Sequence, residues 1–356
     1  RIVNIMSSNE SVAFAFEPQC HSCQKLSATS DLRRCSRCKT VQYCSEDCQR
    51  NNWRIHKHVC VPPIDATTSR PLEYQCAPTT TKGCSNAVVF LHGLGDTEKP
   101  FAKLAAKMAL PQTQAICVRG PVPILDIGFG WFPAFEPDGN LIDPMTIQQT
   151  TTTTTKKIKN NNNNKTDQRR LKGLRIIRVA LHKLLEKLTV MFASENIFLV
   201  GFGYGGIAAV DAAITWEHKL GGVIAVSGGV FLPEQMKGIS NTATPRDQAI
   251  ALAQSCGWTH SDVHFMITHG QHDENLPIHK AKSQYALVSE ICPNTTWHTY
   301  QTTGAMASSA EEMKDIFEFL APKLKLDGAM TEMATKDETI IDVTGKIDPS
   351  TMTGFT

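Results

Sequence analysis

Residues 197–206 read Ile197-Phe198-Leu199-Val200-Gly201-Phe202-Gly203-Tyr204-Gly205-Gly206. An apolar run rich in β-branched and aromatic residues gives way to four glycines in six positions, and Gly206–Trp216 then carries helical periodicity. A buried strand, a sharp turn and a helix are the elements such a pattern specifies. Working outward, five more short apolar runs have the length of buried strands: Ala87–His92, Gln114–Val118, Gly222–Ser227, His264–His269 and Thr295–Tyr300. Helical periodicity fills Pro100–Leu110, Leu171–Phe192 and Lys280–Ile291 between them. Strands alternating with helices over some 240 residues predict an α/β domain with a mostly parallel sheet covered by helices on both faces.

Sites on such sheets lie at the carboxyl ends of the strands. Three of those ends carry chemistry. Leu91-His92-Gly93-Leu94-Gly95-Asp96-Thr97 is a glycine-bearing turn whose backbone N–H groups can face an oxyanion, Gly201–Gly206 has the strand–turn–helix form of a nucleophile elbow, and His269-Gly270-Gln271-His272-Asp273 puts an acid on a loop. These segments, with Val226-Ser227 and Leu232-Pro233, resemble the phospholipase/carboxylesterase family of α/β-hydrolases, which includes acyl-protein thioesterases. The resemblance covers about residues 84–322 and implies the α/β-hydrolase fold, with Leu94 and Tyr204 supplying the oxyanion-binding backbone N–H groups and Asp273 as the acid of a catalytic triad.

Two triad positions depart from that family. Its elbow is Gly-x-Ser-x-Gly, and Gly203 stands where the nucleophilic serine would be. Its base lies in a Gly-Met-x-His-Ser segment, and Ala307 of Gly304-Ala305-Met306-Ala307-Ser308 stands where the histidine would be. Tyr204, Ser227, Ser308, Ser309, His272 and His298 are the nearby replacements, and none has the partner that activation requires. The expectation is therefore a degenerate hydrolase domain whose pocket can still bind an acyl or lipid ligand. The alternative is an active carboxylic-ester or thioester hydrolase, of the carboxylesterase or palmitoyl-protein thioesterase class.

Seven of the twelve cysteines fall between residues 20 and 60. With His56 they form four pairs: Cys20-x2-Cys23, Cys35-x2-Cys38, Cys44-x3-Cys48 and His56-x3-Cys60. Four chelating pairs supply two closed, tetrahedral, structural zinc sites, and a unit of 41 residues is too small to fold by burial alone. With Val41-Gln42-Tyr43, Ser45-Glu46-Asp47 and Trp53 between the ligands, the stretch resembles the MYND-type zinc finger. That family's interleaved pairing implies Cys20, Cys23, Cys44 and Cys48 on one Zn2+ and Cys35, Cys38, His56 and Cys60 on the other. It also implies a partner that is a protein or a proline-containing peptide. Tyr43 and Trp53 are expected in the finger's core. Residues 1–60 carry nine Lys/Arg and five Asp/Glu, an excess that seven thiolates and two Zn2+ nearly cancel, so nucleic acid is not the expected partner.

The remaining boundaries follow composition. Residues 1–19 are an N-terminal segment, 20–60 the finger, 61–83 a linker rich in Pro, Thr and Ser, and 84–325 the hydrolase domain. That domain contains a low-complexity insertion at 148–170 with Thr150–Thr155 and Asn160–Asn164, read as a surface loop. Residues 326–356 are read as a disordered acidic tail. No apolar run reaches the ~20 residues of a membrane span, and clustered thiols suit a reducing, intracellular setting, cytoplasmic or nuclear.

Overall fold

In the computed structural model the described residues are 2–5, 13–16, 20, 22–23, 25, 31–37, 41–56, 71–79, 83–124, 127–135, 163–230, 262–274, 276–301 and 309–326. Near the N-terminus β1 (Ile2–Ile5) pairs antiparallel with β2 (Ala13–Phe16). In the finger a short hairpin, β3 (Arg33–Arg34) and β4 (Gln42–Tyr43), leads into α1 (Glu46–His56). Ser45 starts α1 by accepting the Cys48 N–H at 3.1 Å, and Glu46 and Asp47 sit in its positively polarised first turn. Cys20, Leu32, Cys35, Val41 and Tyr43 form the finger's small core. Trp53 does not join it: the indole is 38% exposed, because it projects from the outer side of α1.

The large domain is built on a seven-stranded sheet in the order β13-β12-β11-β10-β6-β7-β5. Six strands are parallel: β6 (Asn86–Leu91), β7 (Thr113–Val118), β10 (Ile197–Phe202), β11 (Gly222–Val226), β12 (Phe265–Gly270) and β13 (Thr295–Tyr300). A separate two-stranded hairpin, β8 (Val122–Ile124) and β9 (Gly128–Gly130), follows β7. Alternate residues of the buried strands face two apolar layers. One layer is covered by α3 (Asn163–Thr189), α4 (Tyr204–Thr215) and α5 (Ile278–Ile291), the other by α2 (Glu98–Met108) and α6 (Ala310–Leu320).

Two sequence expectations are corrected here. The stretch 61–83 is not all linker, since β5 (Tyr74–Cys76) adds an antiparallel edge to β7. Three exposed residues show no periodicity, and backbone bonds such as Arg119 N–H to Glu73 O and Ala77 N–H to Ala115 O make the strand instead. The insertion also ends earlier than residue 170: Asn163–Arg170 are the first two turns of α3, and Arg170 is fully buried. A polar stretch propagates a helix cheaply once the downstream stripe Leu174, Ile177, Leu181, Leu184 and Leu188 has docked. Residues 148–162 and the tail 327–356 lie outside the described residues.

From β6 the chain moves to β7 on one side, and from β10 it moves to β11 on the other. The sheet's switch point therefore falls between β6 and β10, where the loops that follow them diverge, the place at which sheets of this kind open a crevice.

Candidate functional site

Strand β10 ends beside β6 with Gly201 paired to Leu91, so the glycine turn and the Leu91–Thr97 loop leave the sheet side by side. Gly203 occupies the turn at φ 51° and ψ −114°, a conformation that non-glycine residues adopt only under strain. Its N–H donates to Val226 O at 2.8 Å and its carbonyl accepts from Ile207 N at 3.2 Å. Close approach demands the flanking glycines: a Cβ on Gly201 would lie 2.3 Å from Gly205 O, and one on Gly205 would lie 2.3 Å from Leu91 O. At Gly203, in contrast, no described atom lies within 4 Å of the Cβ position. The strained strand–turn–helix backbone is present, and among the described residues beyond its chain neighbours nothing fills the Gly203 side-chain position.

Across the crevice, the Leu94 loop is pinned by backbone bonds to β9. Gly95 N–H donates to Phe129 O at 2.9 Å and Phe129 N–H donates to Asp96 O at 3.0 Å. Beneath it lies His92, a residue to which the sequence reading gave no role. Its Nε2 accepts from Gly120 N at 2.9 Å, which leaves the proton on Nδ1 to donate to Gly93 O at 2.6 Å. Burial keeps this imidazole below its ordinary pKa, so it stays neutral and acts as a loop tether. Arg119, whose guanidinium lies over the Phe129 ring at 5.1 Å, grips Glu98 through two 2.7 Å bonds and holds the Glu98 carboxyl below its usual range. Only an Asp or Glu near a loop-end Arg signals this in sequence, and such pairs are common.

Tyr204 opens α4 with its ring buried and stacked on Phe132 at 5.2 Å. Asp273, on the loop after β12, is buried and accepts the Leu276 N–H at 2.9 Å. His269 Nε2 lies 3.8 Å from the Asp273 carboxylate but donates to Leu276 O at 2.7 Å, and its ring stacks on Trp297. That buried histidine, lowered in pKa by desolvation, is fixed in the core.

Of the replacements considered from sequence, His298, His272 and Ser309 are engaged elsewhere, whereas Ser227 lies beside the elbow. His298 sits on β13, three strands from β10 and hence ~14 Å away at ~4.8 Å per strand, and its Nδ1 faces Asp315 at 3.2 Å. His272 is exposed and paired with Gln301. Ser309 caps α6 by accepting the Glu312 N–H at 3.0 Å. Ser227, directly after β11, is buried at a left-handed φ of 45°; its N–H donates to Thr268 O, and the preceding Val226 carbonyl takes the Gly203 N–H. Ala307 and Ser308 lie outside the described residues.

In the finger, the sulfurs of Cys20, Cys23, Cys44 and Cys48 all lie within 4.8 Å of one another, with 3.6 Å between Cys23 and Cys44 and between Cys44 and Cys48. Zn–S bonds of ~2.3 Å place tetrahedral sulfurs ~3.8 Å apart, so the donor set fits that ion. Hydrogen bonding to Cys48, Cys20 and Cys23 pushes the Cys44 thiol up to about 12, which means that four thiolates need a cation to coexist. Cys35 and His56 are both buried in the same unit, while Cys38 and Cys60 fall outside the described residues.

Residues 78–324 match the Phospholipase/Carboxylesterase family over this sheet, elbow and acid loop. The chain belongs to that family. Ahead of the family's domain, residues 20–60 match the MYND finger. Acyl-protein thioesterase 1 of Gibberella zeae is 24% identical over 247 residues, 67% of this chain and 90% of that protein. Tudor domain-containing protein 1 of Danio rerio is 41% identical over 66 residues, 18% of this chain and 5% of its own length. Among solved structures, esterase PE8 superposes with a TM-score of 0.53 at 17% identity, covering 72% of this chain and all of its own, a likeness of fold. Among the described residues, no helix is long and apolar enough to cross a membrane.

Proposed function

We propose that this chain is an interaction protein: a two-zinc MYND finger joined to a family domain that binds a partner or an acyl group without efficient turnover. The observation that carries the reading is Gly203, a residue with no side chain at an elbow whose backbone form is intact. Loss of a nucleophile or base costs ~10⁶ in turnover in a serine protease, and an oxyanion hole with a binding pocket retains ~10³–10⁴ over water. Asp273 is the remnant of the triad, Ala307 stands at the base position, and Leu94 and Tyr204 keep the backbone donors.

In the finger, Cys20, Cys23, Cys44 and Cys48 would hold one Zn2+ and Cys35, Cys38, His56 and Cys60 the other, both supplying folding energy and no chemistry. The finger's ligand would be a protein or a proline-containing peptide, in an intracellular compartment.

A serine-hydrolase activity probe separates this reading from an active ester or thioester hydrolase. The expected result is no labelling and ester turnover at background. Labelling that maps to the elbow, with turnover well above background, overturns the reading. Installing Gly203→Ser with Ala307→His should create measurable esterase activity if the rest of the site has been kept. Metal analysis should return two zinc ions per chain, and one or none breaks the eight-ligand scheme.

A further inference from the structure

We propose that Asp337-Glu338-Thr339-Ile340-Ile341-Asp342-Val343, a segment of this chain outside the described residues, docks on the outward face of α3. Neither the zinc sites nor the turnover question bears on this contact, which rests on the character of the face, the composition of the segment and the place where the tail begins.

The core side of α3 is the stripe Leu174, Ile177, Leu181, Leu184 and Leu188. On the opposite side, at spacings of a single helix face, stand Lys172, Ile176, Val179, Lys183 and Lys187. Ile176 and Val179 are half-buried yet join neither apolar layer of the domain. The stripe runs on past the helix end to Val190 and Met191, 85% and 68% exposed. Lys172 and Lys187 are exposed, and among the described residues no carboxylate pairs with either. The helix as a whole has eight Lys/Arg against two Asp/Glu; Arg170 is buried, Arg178 is paired with Asp211, and Glu186 borders the stripe. Exposed apolar side chains rimmed by charge mark an interaction surface, and this rim calls for an acidic occupant with an aliphatic centre.

The chain carries such an occupant. Residues 327–356 have six Asp/Glu and two Lys, and 337–343 set Ile340, Ile341 and Val343 among Asp337, Glu338 and Asp342. The tail also starts in the right place. Lys325 N–H donates to Asn86 Oδ1 at 2.8 Å, and Asn86 Nδ2 donates back to Lys325 O at 2.8 Å, at the first residue of β6. Beside it Ala87 pairs with Ile197, the first residue of β10 and seven positions beyond Val190. The tail's origin and the C-terminal end of α3 therefore share one end of the sheet. The ten residues before Asp337 reach up to ~35 Å, more than the ~27 Å of helix between Lys172 and Val190. A short tether supplies an effective concentration of ~1 mM, so a contact with a Kd of ~100 µM between separate molecules would be about nine-tenths formed within one chain.

The test compares the full, zinc-loaded chain with the same chain carrying Ile340→Asp and Ile341→Asp, changes that touch no described element. Corrected for intrinsic rates, amide exchange over 337–343 should be about tenfold slower in the unaltered chain. Zero-length carbodiimide cross-linking should join Lys172, Lys183 or Lys187 to Asp337, Glu338 or Asp342 within one molecule, and Lys172→Glu with Lys187→Glu should abolish the protection. Equal exchange in the unaltered and Ile340/Ile341 chains, or absence of these cross-links, overturns the proposal. Cross-links found only between isotopically heavy and light chains overturn it in favour of a second copy. Binding to phosphatidylserine vesicles with the tail amides unprotected overturns it and gives the face to lipid. If the α3 variant does not fold, the comparison with the tail variant decides by itself.

Discussion

Gly203 and Gly205 differ by two positions and should lose very different amounts of stability to the same methyl group. At Gly203 the added Cβ meets no described atom within 4 Å, so the cost of Gly203→Ala is conformational. Holding a non-glycine residue at φ 51° and ψ −114° costs ~1–3 kcal/mol, and the stiffer unfolded chain returns ~0.4–1 kcal/mol. The net loss then lies between about zero and ~2.6 kcal/mol, at most ~10 °C in Tm for a domain of this size. At Gly205 the methyl would lie 2.3 Å from Leu91 O and 2.5 Å from His92 O. Both are backbone atoms at the end of a central strand and cannot swing aside. Gly205→Ala should therefore cost at or above the top of the ~1–3 kcal/mol usual for overpacking and leave little folded protein. Urea unfolding followed by tryptophan fluorescence measures both. If Gly203→Ala proves as damaging as Gly205→Ala, the side-chain space at the elbow is filled, and the arguments built on its openness fail.

Acid should destabilise the large domain through its buried histidines, His92 and His269, and to a smaller extent through the half-buried His182 and His264. His92, His182, His264 and His269 are each held below their ordinary pKa, in every case first by desolvation. The unfolded chain then binds more protons, and stability falls as pH drops below ~6.5, by up to ~1.4 kcal/mol per pH unit for each histidine. A urea midpoint unchanged between pH 7.5 and 5.5 would contradict this. Ser309→Ala removes the α6 cap and should cost ~1 kcal/mol, with background esterase rate unaffected; a fall in rate would give Ser309 a chemical role. Cys44→Ser should lower zinc content by about one ion per chain and unfold the finger by circular dichroism, leaving the hydrolase-domain midpoint in place. Retention of both ions would remove Cys44 from the ligand set.

How much of this was legible in the chain varies with the range of the interaction. Five of the six parallel strands are visible as short apolar runs buried on both faces, and the edge strand β13 as a run of β-branched and aromatic residues; their observed bounds fall within about a residue of the runs. β5 was not visible, since its pairing with β7 is made by backbone groups that every residue carries. The start of α3 was missed because Asn, Lys and Thr have no apolar period, while the helix propagates into them from a docked stripe. Trp53 was misplaced because a large aromatic in a tiny domain suggests core, and only the orientation of α1 shows that it is exposed.

The sequence by itself determined the chemistry available: eight potential zinc ligands at chelating spacings, a glycine at residue 203, an alanine at residue 307 and an acid at residue 273. These are identities, and no folding can supply a hydroxyl to Gly203. Tertiary structure alone decided what remains of the site. It decided that the turn at Gly203 takes its strained form, that no described residue beyond the chain neighbours fills the space above Gly203, and that neutral His92 tethers the opposing loop. It also decided that Cys20 and Cys23 meet Cys44 and Cys48, residues more than 20 positions away, within 4.8 Å. Each of these depends on backbone groups and distances between segments remote in sequence, which residue type does not encode.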